Sequence, residues 1–237
     1  MAIKPQLPQP QTPGTVQERD NFQTPRYATD LLVPFIPTYV RHIWEPACGD
    51  YRMVNALEDY GYHTAASDLK YGWDFLNSGN PGWAVECIIT NPPYSLKQKF
   101  YKKCMEWGVP FALLIPADYN GWIIDAIRKD GCEKIIPTRR INSITPNMAE
   151  LVWKGQMLAH LKVNGAGSYK RFKDIPDGVL KQHRDCVKKY PDIDSISAEL
   201  IAKYSSAQFH SMWLTHGFNL GRTETFVDLS KEDLLNV

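Results

Sequence analysis

The sequence has no two cysteines in Cys-x-x-Cys spacing, and its five cysteines (Cys48, Cys87, Cys104, Cys132 and Cys186) are an odd number. Neither a disulfide framework nor a zinc knuckle is expected, no metal is expected, and a reducing cytoplasm fits. No apolar run reaches the roughly 18 residues that a spanning helix needs, so no membrane segment is expected. The N-terminus lacks a basic stretch followed by an apolar one, so no signal peptide is expected. The dinucleotide fingerprint Gly-x-Gly-x-x-Gly is missing, and so is any large net charge, which totals +1. What remains is an ordinary globular composition, 43% hydrophobic and 22% charged, with enough apolar surface to bury a core.

The small net charge hides an uneven distribution. Residues 91–190 carry 18 Lys and Arg against 9 Asp and Glu, while the segments on either side are each net acidic. A basic middle suggests a polyanionic partner, although solvated helix faces produce the same pattern.

Residues 1–20 are rich in Pro and Gln and are expected to form an arm without a fold of its own. From residue 21 to 146 apolar runs and helical periods alternate. Strands are expected at His42–Glu45, Thr64–Asp68, Glu86–Thr90 and Phe111–Ile115, and an extended segment at Lys134–Ile144. Helices are expected from Thr24-Pro25 towards Pro37, over Met53–Tyr60, near Lys97–Trp107 and over Gly121–Lys129. This alternation predicts an α/β fold, a mostly parallel sheet with helices on both faces. Residues 147–205 break the rhythm and read as a basic insertion, or a small appended subdomain. Residues 206–237 are expected to supply the last core strand, Phe209–His216, and a polar tail.

Two βα turns carry chemistry. Asn91-Pro92-Pro93-Tyr94 follows the third strand at its carboxyl end, where doubly wound sheets bind ligands. The prolines remove backbone donors and stiffen the turn. Asn91 adds a side-chain carbonyl and Tyr94 a flat ring, a set suited to a planar amino group held against an aromatic face. Acceptors on both protons of such a nitrogen favour the pyramidal form whose lone pair attacks. The second turn is Glu45-Pro46-Ala47-Cys48-Gly49, where small residues admit a ligand to the backbone. Asp68, 19 residues after Gly49, stands about where dinucleotide-binding folds hold ribose hydroxyls.

These motifs, in this order, resemble the S-adenosylmethionine-dependent adenine-N6 DNA methyltransferases over about residues 22–145. The resemblance implies a Rossmann-like class I methyltransferase fold with seven strands and an insertion before the last one. It implies that Phe22-Gln23-Thr24-Pro25 contacts the methionine part of the cofactor, and that Glu45, Pro46, Ala47, Cys48 and Gly49 form the cofactor turn, with Glu45 facing the methionine amino group. Asp68 would hold the ribose, and Asp74 and Phe75 the cofactor's adenine by hydrogen bond and ring packing. Asn91, Pro92, Pro93 and Tyr94 would be the catalytic set acting on an extruded adenine. In place of the usual small residue after the cofactor turn, the chain has Tyr51. Compact enzymes of this kind occur in bacteriophages.

DNA is the expected partner, with Lys97, Lys99, Arg139, Arg140, Lys170, Arg171 and Lys173 as phosphate contacts and interleaved aromatics such as Tyr169 and Phe172 as stacking groups. The tetrapeptide is also similar to that of enzymes methylating RNA bases or a glutamine amide in protein release factors. A methyltransferase-like fold that binds DNA without catalysis is the third possibility. Oligomeric state is not legible.

Overall fold

The unbroken apolar run Phe111–Ile115 is buried along its whole length, which is what a strand covered on both faces requires. In a computed structural model of the protein, describing residues 22–79, 82–204 and 209–235, it is the centre of a seven-stranded sheet. The expected arm at residues 1–20 lies outside the described residues.

The described residues fall into two compact units, one within 1–143 and 207–236, the other within 144–206. In chain order the first contains α1 (Arg26–Asp30), β1 (His42–Glu45), α2 (Arg52–Asp59), β2 (His63–Ala66), β3 (Cys87–Thr90), α3 (Lys97–Trp107), β4 (Phe111–Pro116), α4 (Gly121–Lys129) and β5 (Glu133–Pro137). After the second unit it resumes with β6 (Ser211–His216) and β7 (Glu224–Val227). The strand order is β2-β1-β3-β4-β6-β5-β7. β1 to β4 run parallel, β6 is antiparallel to both β4 and β5, and β7 is parallel to β5. The sheet is therefore mixed, with β6 as the one reversed strand.

Side chains alternate across a strand, and here each side packs its own core. Ile43, Ile89, Ala112 and Leu114 join Tyr27, Leu32, Met53 and Leu57 from the α1 and α2 region. Trp44, Ile88, Leu113 and Ile115 join Phe100 and Cys104 of α3 and Ile123 and Ala126 of α4. Trp213 of β6 is fully buried and donates from Nε1 to the Ala28 carbonyl at 3.0 Å, pinning the reversed strand to α1.

Three expectations need correction. The extended segment Lys134–Ile144 is a strand only as far as Pro137. The helix expected from Thr24-Pro25 is the short α1, followed by a 3-10 turn at Val33–Phe35, because Pro34 sits in that turn. The polar tail contains β7, an edge strand whose residues are at most half-buried. It lacks the apolar alternation that marks a strand and is held by backbone pairing and an ion pair from the buried Lys134 to Glu224.

The second unit contains α5 (Met148–Val163), α6 (Asp177–His183) and α7 (Ala198–Tyr204), with two small apolar clusters in place of one core. Gly155 interrupts the apolar pattern of α5 without breaking the helix. A Cβ there would lie 2.2 Å from the Tyr204 ring, so glycine admits α7 to close approach.

Among the described residues, no helix is long and apolar enough to cross a membrane.

Candidate functional site

From β1 the chain crosses to β2 on one side, and β3 lies on the other. The carboxyl ends of β1 and β3 thus flank the point where strand order reverses, the place where open α/β sheets bind ligands. The Glu45 turn follows β1, and the Asn91 turn follows β3.

Glu45, the last residue of β1, is 1% exposed. Its Oε1 accepts from the Thr90 hydroxyl at 2.5 Å and from the Ala47 amide at 3.0 Å. Burial outweighs those bonds and pushes its pKa up to about 8, so the carboxyl is largely protonated at neutral pH until a cation arrives. Pro46 and Cys48 are buried beside it and Ala47 is half-buried. Burial likewise pushes the Cys48 thiol up to about 12, which leaves it a packing group and no nucleophile.

Gly49 stands at φ +52°, and a Cβ there would meet the Gln23 side chain at 2.4 Å. The left-handed backbone favours glycine, and the absent side chain leaves room for the end of Gln23. Gln23 lies over this turn and accepts from the Asp50 amide at 2.8 Å. Asp68, just beyond β2, accepts from the Gly49 and Lys70 amides, one on each oxygen at 2.9 Å. Each oxygen keeps a further lone pair. Tyr51 takes the left-handed conformation at φ 63°, and its exposed ring tilts against Tyr71 with centroids 5.7 Å apart. The side chain therefore points along the surface and does not fill the turn.

Asn91 begins the second turn. Its Nδ2 donates to the Phe22 carbonyl and to Thr24 Oγ1, both at 3.1 Å. A carbonyl can only accept, so these bonds fix the amide orientation. They leave Oδ1 buried and without a hydrogen-bond partner among the described residues. A buried acceptor left unpaired costs about 1–3 kcal/mol, so it marks a place where a donor is expected. Pro92 is buried, and Pro93 half-buried. Tyr94 stacks on Phe22 with centroids 5.6 Å apart and meets Phe209 edge-on at 5.1 Å.

Other expected residues are placed differently. Thr24 is 5% exposed and orients Asn91; Pro25 is the buried cap of α1. Asp74 folds back onto its own turn, accepting from the Leu76 amide at 3.0 Å and the Asn77 side chain at 2.6 Å. The Phe75 ring is 2% exposed, wedged between Trp44 and Phe100. It is a core side chain, and its ring is not an open packing face as expected. Lys97 pairs with Asp118 at 2.6 Å, joining the segments after β3 and β4, while Lys99, Arg139 and Arg140 are exposed. Arg139 and Arg140 follow β5, at the same sheet edge as Asn91.

In the second unit Lys170 and Lys173 are exposed, but Arg171 makes a two-point pair with Asp174 at 2.9 and 3.0 Å. Tyr169 and Phe172 pack into that unit's apolar cluster. Both rings are half-buried there, so they also serve the packing of this unit. Sequence reasoning missed Phe22 and Phe209 as partners of Tyr94, since these ring pairs form only once the reversed β6 starts where β3 and β4 end.

Comparison with protein-family models and with curated proteins finds no match for this chain.

Proposed function

We propose that the protein transfers the methyl group of S-adenosylmethionine to the exocyclic N6 amine of adenine in DNA, on a class I methyltransferase fold. The observation that carries this reading is the buried Asn91 Oδ1 at the carboxyl end of β3, which has no partner among the described residues. Its amide is held by the Phe22 carbonyl and Thr24.

The β1 turn fits the cofactor. The buried Glu45 carboxyl suits the amino group of the methionine end, whose charge would draw it into its ionised form. The Gly49 turn offers close approach, and Asp68 has lone pairs for ribose hydroxyls. When bound, the cofactor supplies an electrophilic methyl on a sulfonium sulfur. Asn91 Oδ1 and the Pro92 carbonyl accept the two N–H bonds of the amine, an arrangement that strengthens as nitrogen becomes pyramidal and positive. The nitrogen lone pair forms the new N–C bond as the C–S bond breaks, and one amine proton leaves to solvent. Tyr94 supplies the stacking face for an extruded base, with Phe22 yielding or sharing that face. Positioning and preorganised acceptors carry the rate, and no covalent enzyme intermediate is needed.

Thr24, Asn91 and Phe22 thus act as one unit, which ties the segment before α1 to the chemistry. Lys99 and Arg139, exposed at the same sheet edge, suit the DNA backbone better than the paired Lys97. Incubation with labelled S-adenosylmethionine and DNA, RNA or release factor in parallel tests the reading. Label recovered as N6-methyladenine from DNA supports it; label only in RNA or in a glutamine amide replaces the acceptor.

A further inference from the structure

The second unit holds a side-chain cluster that the methyl-transfer reading does not use. His160 lies in the last turn of α5, His183 ends α6, and Cys186 ends the 3-10 turn that follows. One ligand atom from each lies within 4.8 Å of the other two. His160 Nε2 and His183 Nδ1 are 3.1 Å apart. We propose that His160, His183 and Cys186 form a binding site for one Zn²⁺ ion.

Distance and donor chemistry agree. With Zn–N near 2.0–2.1 Å and Zn–S near 2.3 Å, tetrahedral geometry puts two ligand nitrogens roughly 3.3 Å apart and nitrogen and sulfur about 3.6 Å apart. The two imidazole nitrogens already stand at nearly that separation, and the sulfur lies within 4.8 Å of both, so a small movement of the exposed Cys186 side chain brings all three to one ion. A hydrogen bond between the rings accounts for their closeness alone, but not for a thiol sulfur within 4.8 Å of both. Two imidazoles and a thiolate suit Zn²⁺, whereas Mg²⁺ and Ca²⁺ prefer oxygen.

The surroundings complete the case. Asn164 Nδ2 lies 3.1 Å from His160 Nδ1 and donates to the His160 carbonyl at 2.8 Å, so it holds the ring through the nitrogen that faces away from the cluster. Three protein ligands leave a fourth position for water. A cavity of about 340 Å³ reaches Cys186 and is also lined by Gln156, whose buried Oε1 has no partner among the described residues. Gln156 precedes His160 by one helical turn and offers an acceptor on that side.

A zinc ion here would tie α5 to the end of α6. The unit has reason to need it: its buried apolar residues are divided between two small clusters, and units of this size commonly rely on a metal or disulfide. His183 and Cys186 are three residues apart, but His160 is 23 residues upstream, so no zinc motif is visible in the sequence.

The cysteines make the test simple. Cys186 is exposed, whereas Cys48, Cys87, Cys104 and Cys132 are buried. In the native full-length protein a thiol-reactive disulfide reagent should modify one cysteine per chain rapidly. One equivalent of Zn²⁺ should slow that reaction at least tenfold, and a chelator should restore it. Co²⁺ should give a thiolate-to-metal charge-transfer band and the visible bands of a tetrahedral centre. Both should vanish in Cys186→Ser and persist in His210→Ala. A thiol equally reactive at saturating Zn²⁺, or a cobalt spectrum unchanged by Cys186→Ser, overturns the proposal. The protection measurement uses the unaltered chain, so it decides even where a variant fails to fold.

Discussion

The turns after β1 and β3 lie side by side at the same edge of the sheet, yet they treat their polar groups in opposite ways. After β1 nearly everything is bonded internally: Glu45 to Thr90 and Ala47, Asp68 to Gly49 and Lys70, Gln23 to Asp50. After β3, Asn91 is anchored through its nitrogen while its oxygen is buried without a partner among the described residues. The first turn is a prefolded cradle, in which the groups that would hold a ligand also hold the fold. The second reserves one acceptor that has no partner among the described residues. Removing a group from the first should therefore change stability and binding together, whereas the reserved acceptor should affect turnover.

Glu45→Gln should show the largest change on the cradle side. The Glu45 carboxyl stays protonated in the fold up to about pH 8, whereas in the unfolded chain it ionises near 4.5. Between those values the unfolded state binds fewer protons, so the stability contributed by Glu45 is full below about 4.5 and is lost as pH rises towards 8. The glutamine variant should lack that loss, gaining a few kcal/mol at pH 8 relative to wild type, with little difference at pH 4.5. Denaturant titrations across this range check it. The variant should also bind S-adenosylmethionine weakly. In wild type, binding below pH 8 should release a proton, visible in calorimetry as a dependence of the heat on the buffer's ionisation enthalpy.

Asp68→Ala should cost less but touch both properties. It removes the acceptor of two backbone amides and the proposed ribose partner, each hydrogen bond to a charged group being worth roughly 1.5–3 kcal/mol net of water. A lower midpoint of thermal unfolding and weaker cofactor binding are expected together. Weaker binding with an unchanged midpoint would break the link between cradle and fold.

The smallest effect is expected at the sheet edge. Replacing Lys99 and Arg139 by Ala should flatten the slope of log DNA affinity against log salt by up to about 2, near one for each phosphate that is no longer neutralised. Arg171→Ala should leave the slope unchanged, because that guanidinium is already paired with Asp174.

Much of the sheet was legible because its signals are local. Phe111–Ile115 is an unbroken apolar run, and the bounds of α3 and α4, Lys97–Trp107 and Gly121–Lys129, follow from helical periods closed by turn residues. β7 was hidden because an edge strand needs no apolar alternation. The full length of α5 was hidden by Gly155, which makes room for Tyr204 and reads as a breaker in isolation. In the site, the two turns and Asp68 could be found from their positions at strand ends. The bonds from Asn91 to Phe22 and Thr24 span 69 and 67 residues, and no local pattern encodes them. The same holds for Phe209 against Tyr94 and for His160 beside His183 and Cys186.

The division of labour between the turns is tested most directly by Asn91→Ala. Methyl transfer to DNA would be measured in a single turnover, alongside calorimetric titration of S-adenosylmethionine with the same preparation. Loss of one preorganised partner to developing charge typically slows chemistry by about 100- to 1,000-fold, so a drop of that size is expected, with cofactor affinity changed less than about twofold. A variant that methylates adenine at the wild-type rate, or that loses cofactor affinity while its saturated rate is unchanged, would contradict the account.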